Sequence, residues 1–538
     1  MSLLLLAVLH QAQPPIVAET RPNILFAISD DQSYPHTSAY GCRWVNTPAF
    51  DRVAREGLLF DNCYTPNAKC APSRSIVLTG RHSWQLGAAA NHVPIFPPEQ
   101  PVYTEMLERS GYRVGMTGKG WAPGVALTAD GQPRHLAGTP YNKRKAKPPT
   151  GKMSRTDYAA NFRDFLDDAA KPADGGAGSG GAKPQPWCFW YGGHEPHRAY
   201  EYGSGARLGG KSITAIDDGD VPGYWPDSDT VRNDLLDYAL EIEHFDRHLG
   251  EMLAELDRRN LFETTLVVVT SDNGMPFPRV KGQTYERSHH LPLAISWPAG
   301  ISDPGRRVRD FVSFVDLAPT FVDLAGLDTF GLAPAGRTLW PIFDTETIEL
   351  ENGFAEPDRD LVFLGKERHD LGRPGDAGYP SRGLVMRDWL YLRNHAPDRW
   401  PAGNPETGYM NTDGSPTKTQ ILQMRRDGSD RNYWRACFGR RPALELYNLA
   451  ADPDCLLNLA DLPSTRRKQA EMAERLDELL DEENDPRHIG LWPEGIADFD
   501  DYPYADESMR GYYEQAQAGQ APKAGWIEPT DIETEPVE

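Results

Sequence analysis

Two short runs in this chain are apolar at nearly every position, and both stop on carboxylates. Asn23–Ser29 (NILFAIS) runs into Asp30-Asp31, and Thr265–Thr270 (TLVVVT) runs into Ser271-Asp272-Asn273. A short run that does not alternate apolar with polar residues suits a strand buried on both faces, as in a parallel sheet covered by helices. Similar runs follow at Leu58–Tyr64, at Tyr112–Thr117 before Gly118-Lys119, at Trp187–Tyr191 before Gly192-Gly193-His194, and at Leu293–Ser296. Helical patterns separate them at Thr47–Glu56, Tyr103–Arg109 and Val231–Arg258. In the last, Leu235, Ala239, Ile242, Phe245, Leu249, Met252 and Leu256 form one apolar stripe. Strands alternating with helices predict an α/β domain with a mostly parallel sheet. Ligands of such sheets bind beyond the carboxyl ends of the strands, which is where these polar clusters fall.

A chain of 538 residues is too long for one simple domain. The expected division is a leader at 1–20, a catalytic domain at 21–345, a smaller α+β subdomain at 346–490 and an acidic extended tail at 491–538. The subdomain reading rests on strands at Arg387–Arg393 and Glu445–Leu449 and a charged helix at Ser464–Glu483. Asp167–Pro186 is rich in Gly, Ala and Pro and reads as a flexible loop with no chemistry. The apolar run at Leu3–Leu9 is too short to span a bilayer and resembles a signal-peptide core, although no Lys or Arg precedes it. It predicts a secreted or periplasmic protein without a membrane span. Lys and Arg number 56 against 78 Asp and Glu, a net charge of -22, which argues against a nucleic-acid partner. An anionic substrate then needs basic residues gathered locally. The six cysteines show neither zinc-finger nor CxxC spacing and are too few for a dense disulfide scaffold. A Cys437–Cys455 bridge stays open.

Two groups of residues carry chemistry. Cys70 precedes Pro72-Ser73-Arg74 and a short apolar helix that ends at Gly80. The helix N-terminus and Arg74 make an electropositive corner suited to an anion. On spacing alone, a buried cysteine ahead of a helix reads equally well. Asp30, Asp31 and Asp272 bring carboxylates and Asn273 an amide oxygen. These hard oxygen donors suit Ca²⁺ or Mg²⁺ over zinc. Adjacent carboxylates need a cation nearby, or one of them protonates. Asp30-Asp31 alone would equally serve a turn.

The segment Cys70–Arg81, CAPSRSIVLTGR, resembles the signature C-x-P-S-R-x-x-x-L-T-G-R of sulfatases. Thr270–Gly274 (TSDNG), Val315–Thr320 (VDLAPT), Glu445–Leu449 (ELYNL), Asp452-Pro453 and Asn458–Ala460 (NLA) are similar to further segments of that family. The resemblance therefore runs from Asn23 to Ala460. It implies an alkaline-phosphatase-like sandwich in which a separate maturation enzyme oxidises Cys70 to formylglycine. It also implies one Ca²⁺ held by Asp30, Asp31, Asp272 and Asn273 and touching residue 70. Arg74, Lys119, His197 and Lys281 become catalytic residues by the same resemblance. One position departs from it: the family often reads G-K-x-H, and here Trp121 stands where that histidine would be.

Asp272–Pro278 (DNGMPFP), His194–Arg198 (HEPHR) and Tyr433–Ala436 (YWRA) resemble segments of heparan N-sulfatases. That implies an exo-acting enzyme on a sulfated oligosaccharide, with N-sulfoglucosamine as the leading substrate. The alternatives are an O-sulfatase, a phosphonate or phosphodiester hydrolase of the same superfamily, and a weakly active glycan-binding protein. A polyanionic glycan needs cations beyond the sulfate site, so His369 and Arg382 are the expected sugar-contacting pair.

Overall fold

The structure is a computed structural model that describes residues 21–171, 185–350 and 353–535. The expected leader at 1–20 and most of the Asp167–Pro186 loop lie outside the described residues.

Eight strands form one sheet in the order Arg306–Ser313, Leu58–Tyr64, His290–Ser296, Thr265–Ser271, Asn23–Ser29, Trp187–Gly192, Arg113–Gly118 and Thr139–Pro140. Only His290–Ser296 runs antiparallel to its neighbours; the other pairs are parallel. The two carboxylate-tipped runs are adjacent, with Ser29 in register with Ser271. Both faces of the sheet are covered, which explains the unbroken apolar runs. Ile24, Phe26 and Ile28 point into a core shared with the helices Cys70–Thr79, Tyr103–Arg109 and Leu317–Leu324. Leu25 and Ala27 point the other way, toward Pro48–Arg55, Tyr158–Ala169 and Asp229–Arg258. The last of these starts two residues before the expected Val231 because the hydroxyl of Ser228 caps it, accepting from the backbone N–H of Val231.

A second, antiparallel sheet orders Leu361–Lys366, Ser381–Met386, Trp389–Asn394 and Leu444–Asn448. The strand expected at 387–393 starts later because Arg387, at φ 53°, turns the hairpin. One face packs on Met472, Leu476 and Leu480 of the helix Arg466–Glu482. The other packs on Tyr64, Tyr285 and Phe311 of the large domain.

The tail is not the extended arm expected from its charge. Phe499, Tyr504, Met509 and Tyr512 are buried, and Arg368 donates to the carbonyls of Asp500 and Tyr502. Lys418 and Asp531 pair at 3.0 Å, both fully buried. Aromatic residues spaced through the acidic stretch supply apolar area, and buried cations from the body meet its carboxylates. All six cysteines are unpaired, Cys437 and Cys455 included.

Candidate active site

Asp30, Asp31, Cys70 and Asp272 converge: one potential ligand atom from each lies within 4.8 Å of the others. Asp30 and Asp31 follow directly from the 23–29 strand, and Asp272 follows from its neighbour. Asp31 adopts φ 74°, a left-handed conformation that Asp tolerates better than most residues. Its backbone N–H donates to Asp272 Oδ1 at 3.0 Å, and Asn273 Nδ2 donates to Asp31 Oδ1 at 2.7 Å. Asn273 Oδ1 is buried and has no protein partner. A buried amide oxygen without a donor beside three carboxylates has the chemistry of a hard-cation site. Burial and the charge of Asp30 push Asp272 up to about 6, against the pull of Arg74. Burial works against Asp30 as well, but Lys119, His197, Arg74 and Lys281 outweigh it and hold that carboxyl well below its usual range.

Cys70 is the first residue of the helix Cys70–Thr79, every residue of which is buried. Its Sγ lies 3.5 Å from Asp30 Oδ1 and 3.8 Å from Asp31 Oδ1. Arg74, one turn on, braces the site. Its Nε donates to Asp272 Oδ2 at 2.8 Å, and its Nη1 donates to the carbonyls of Lys119 and Gly120 at 2.9 Å each. Lys119 Nζ reaches both oxygens of Asp30, at 2.8 and 2.7 Å. Lys281 Nζ lies 2.7 Å from Asp31 Oδ2, 3.1 Å from Asp413 Oδ2 and 3.0 Å from His197 Nε2. His197 Nδ1 lies 2.6 Å from the Arg198 carbonyl. A carbonyl only accepts, so that nitrogen carries the proton and Nε2 faces Lys281 as the acceptor.

These groups open into a cleft of about 670 Å³ whose lining includes Asp30, Cys70, Lys119, His197 and Lys281. Three further lining residues gave no sign in the sequence: Asp370, Asp413 and Trp526; His194, which opens the segment His194–Arg198, lines it as well. Lys69 also lines it and could have been noticed, since it immediately precedes Cys70; it pairs with Asp370 at 2.7 Å. The expected sugar-contacting pair is corrected. Arg382 is 1% exposed and held between Glu367 and Asp485. His369 is equally buried, with Nε2 2.7 Å from Asn67 Oδ1. Neither lines the cleft, because local carboxylate and amide partners consume their polar atoms. Trp121, in the slot of the family histidine, turns toward the helix. Its Nε1 donates to Ser75 Oγ at 2.8 Å and to the Ala71 carbonyl at 3.2 Å, and its ring meets Phe96 edge-on.

A mostly parallel sheet with a cation-ringed carboxylate cluster at its strand ends, beside a smaller antiparallel sheet, defines an alkaline-phosphatase-like hydrolase. Within that class the chain belongs to the sulfatase family, whose model, Sulfatase, matches residues 22–327. It is thus a hydrolase of sulfate esters or sulfamates. It is similar to the N-sulphoglucosamine sulphohydrolase of Homo sapiens, at 26% identity over 87% of this chain and 92% of that one. It is also similar to an ulvan-active sulfatase of Formosa agariphila, at 24% identity over 86% of this chain and 75% of the relative. Among solved structures, a protein in complex with its substrate D-glucosamine-2-N,6-O-disulfate superposes with a TM-score of 0.57. That match has 20% identity and covers 87% of this chain and 99% of the other.

Proposed function

We propose that this sulfatase removes sulfate from the end of a sulfated glycan, with N-sulfoglucosamine as the leading substrate. The observation that carries the reading is the convergence of Cys70 with three carboxylates, ringed by Arg74, Lys119, Lys281 and His197. Sulfate spreads its charge over several oxygens and needs donors on several sides.

Asp30, Asp31, Asp272 and Asn273 would hold one Ca²⁺, which supplies positive charge to acidify the nucleophile and to neutralise the sulfuryl oxygens. Cys70, oxidised to formylglycine by a maturation enzyme, would hydrate and offer a hydroxyl to sulfur. Arg74 fixes the carboxylate and backbone around that hydroxyl. Lys119 and Lys281 turn from their aspartates toward the sulfuryl oxygens when substrate enters. His197, anchored through Nδ1, would relay through Nε2 to the departing nitrogen or oxygen a proton taken from the Lys281 ammonium that it faces at 3.0 Å. Export is proposed from the apolar run at Leu3–Leu9; among the described residues, no helix is long and apolar enough to cross a membrane.

Mass spectrometry of the peptide containing residue 70, followed by sulfate release from N-sulfated and O-sulfated oligosaccharides, tests the reading. The expected result is formylglycine at 70 and release from N-sulfated glucosamine. Release from O-sulfated sugars alone removes the N-sulfatase assignment, and faster turnover of a phosphonate or phosphodiester than of any sulfate removes the glycan sulfatase reading.

A further inference from the structure

The sulfate-binding groups leave one part of the cleft unexplained. Trp526 is a half-buried indole in a lining otherwise rich in charge. Its N–H is spent on the Met410 carbonyl at 2.9 Å, so it offers the cleft only an apolar ring. Its backbone carbonyl accepts from Gly414 N–H at 2.7 Å. These two bonds bracket Asp413, which also lines the cleft and whose Oδ2 accepts from Lys281. The bracket is firmly held. Lys418 and Asp531 form a fully buried ion pair beside it, and Trp526 packs against a buried apolar cluster that includes Leu371, Met410 and Tyr504. Both residues lie beyond the 22–327 stretch that matches the family model.

We propose that Trp526 and Asp413 form the wall that holds the sugar: the indole is a platform for the apolar face of a pyranose, and the carboxylate accepts from its hydroxyls. This deepens the reading of the site as a glycan sulfatase and rests on it. A pyranose carries C–H groups on its faces and hydroxyls at its rim, so it needs an aromatic surface and a nearby acceptor together. An indole does nothing for sulfate, which needs donors. A carboxylate repels sulfate, so the rim that meets Asp413 carries free hydroxyls while the sulfated position points toward Cys70. The ligand class is therefore a hexopyranose unsulfated on the side that faces the tail.

The test compares W526F and W526L in the full-length matured enzyme. Phenylalanine loses the bond to Met410 but keeps an aromatic face; leucine loses both and keeps apolar bulk. The readout is the ratio of kcat/KM on a sulfated monosaccharide that the wild type hydrolyses to kcat/KM on 4-nitrophenyl sulfate, which has no pyranose. The proposal expects W526L to lower that ratio about tenfold, through KM on the sugar, and W526F to lower it less than about threefold. An unchanged ratio in W526L, or an equal fall in both variants, means that the indole only anchors the tail and overturns the proposal. A wild type that turns over 4-nitrophenyl sulfate but no sulfated monosaccharide instead defeats the underlying glycan-sulfatase reading.

Discussion

Cys70 sits where a helix start, a carboxylate cluster and several cations meet, with its Sγ 3.5 Å from Asp30 Oδ1 and 3.8 Å from Asp31 Oδ1. C70A should therefore lower kcat/KM for sulfate release by at least about a thousandfold, the scale of losing a covalent nucleophile. Removing one buried sulfur leaves the packing of the helix 70–79 in place, so far-UV dichroism should be unchanged. Sulfate release near the wild-type rate by C70A would show another group to be the nucleophile. At this scale the sequence was informative where neighbours along the chain settle the environment. Asp30-Asp31 and Asp272-Asn273 each follow directly on a strand, and the register of those two adjacent strands brings them together. It misled at Arg382 and His369, where a positive charge was visible but the carboxylates of Glu367 and Asp485, and the amide of Asn67, were not visibly close. Arg382 bridges two buried carboxylates; R382A leaves Asp485 without its cation, while Glu367 keeps Arg487, and should cost about 3 kcal/mol in urea unfolding. A raised KM with unchanged stability would restore it to substrate binding.

Among the elements, the helix Asp229–Arg258 shows most plainly what periodicity can and cannot reveal. Its apolar stripe was legible, and its cap required only Ser228. Its polar side was not: Glu241 is 2% exposed and lines the cleft, with Oε1 unpartnered. Burial, then the charges of Glu195 and Asp237, raise its pKa from 4.5 to about 9. The folded state therefore keeps a proton that the unfolded chain releases near pH 4.5. The stability linked to that proton is fully present below pH 4.5 and is lost as pH rises toward 9. E241Q keeps the shape and does not titrate. It should match the wild type at pH 4.5 and exceed it by on the order of 2 kcal/mol at pH 7. Urea unfolding at the two pH values checks this, and an equal difference at both would show that Glu241 titrates normally.

At the scale of the whole molecule, the acidic tail departs most from its appearance in the sequence. Net charge describes how a segment meets water, but here buried Lys418 and Arg368 meet the carboxylate of Asp531 and the backbone of Asp500 and Tyr502. No local pattern announces partners more than a hundred residues away. The same long-range closure governs the candidate metal site, whose aspartates come from strand ends 241 residues apart. A Ca²⁺ held there, as proposed, would tie the two central strands together in the folded chain, whereas the unfolded chain has no such cluster. Binding must then stabilise the fold by mass action, by about 2.7 kcal/mol when free Ca²⁺ is a hundred times its Kd. Chelation should lower Tm by several degrees, and added Ca²⁺ should restore it in a concentration-dependent way. Oxygen-only donors further predict that Ca²⁺ outperforms Zn²⁺ in this restoration. D272N, which removes a carboxylate braced by Arg74, should abolish the Ca²⁺-dependent part of the shift. Scanning calorimetry with and without chelator reads the effect independently of turnover. A Tm indifferent to both chelator and Ca²⁺, in wild type and D272N alike, would mean that these carboxylates balance only the lysines and arginine around them.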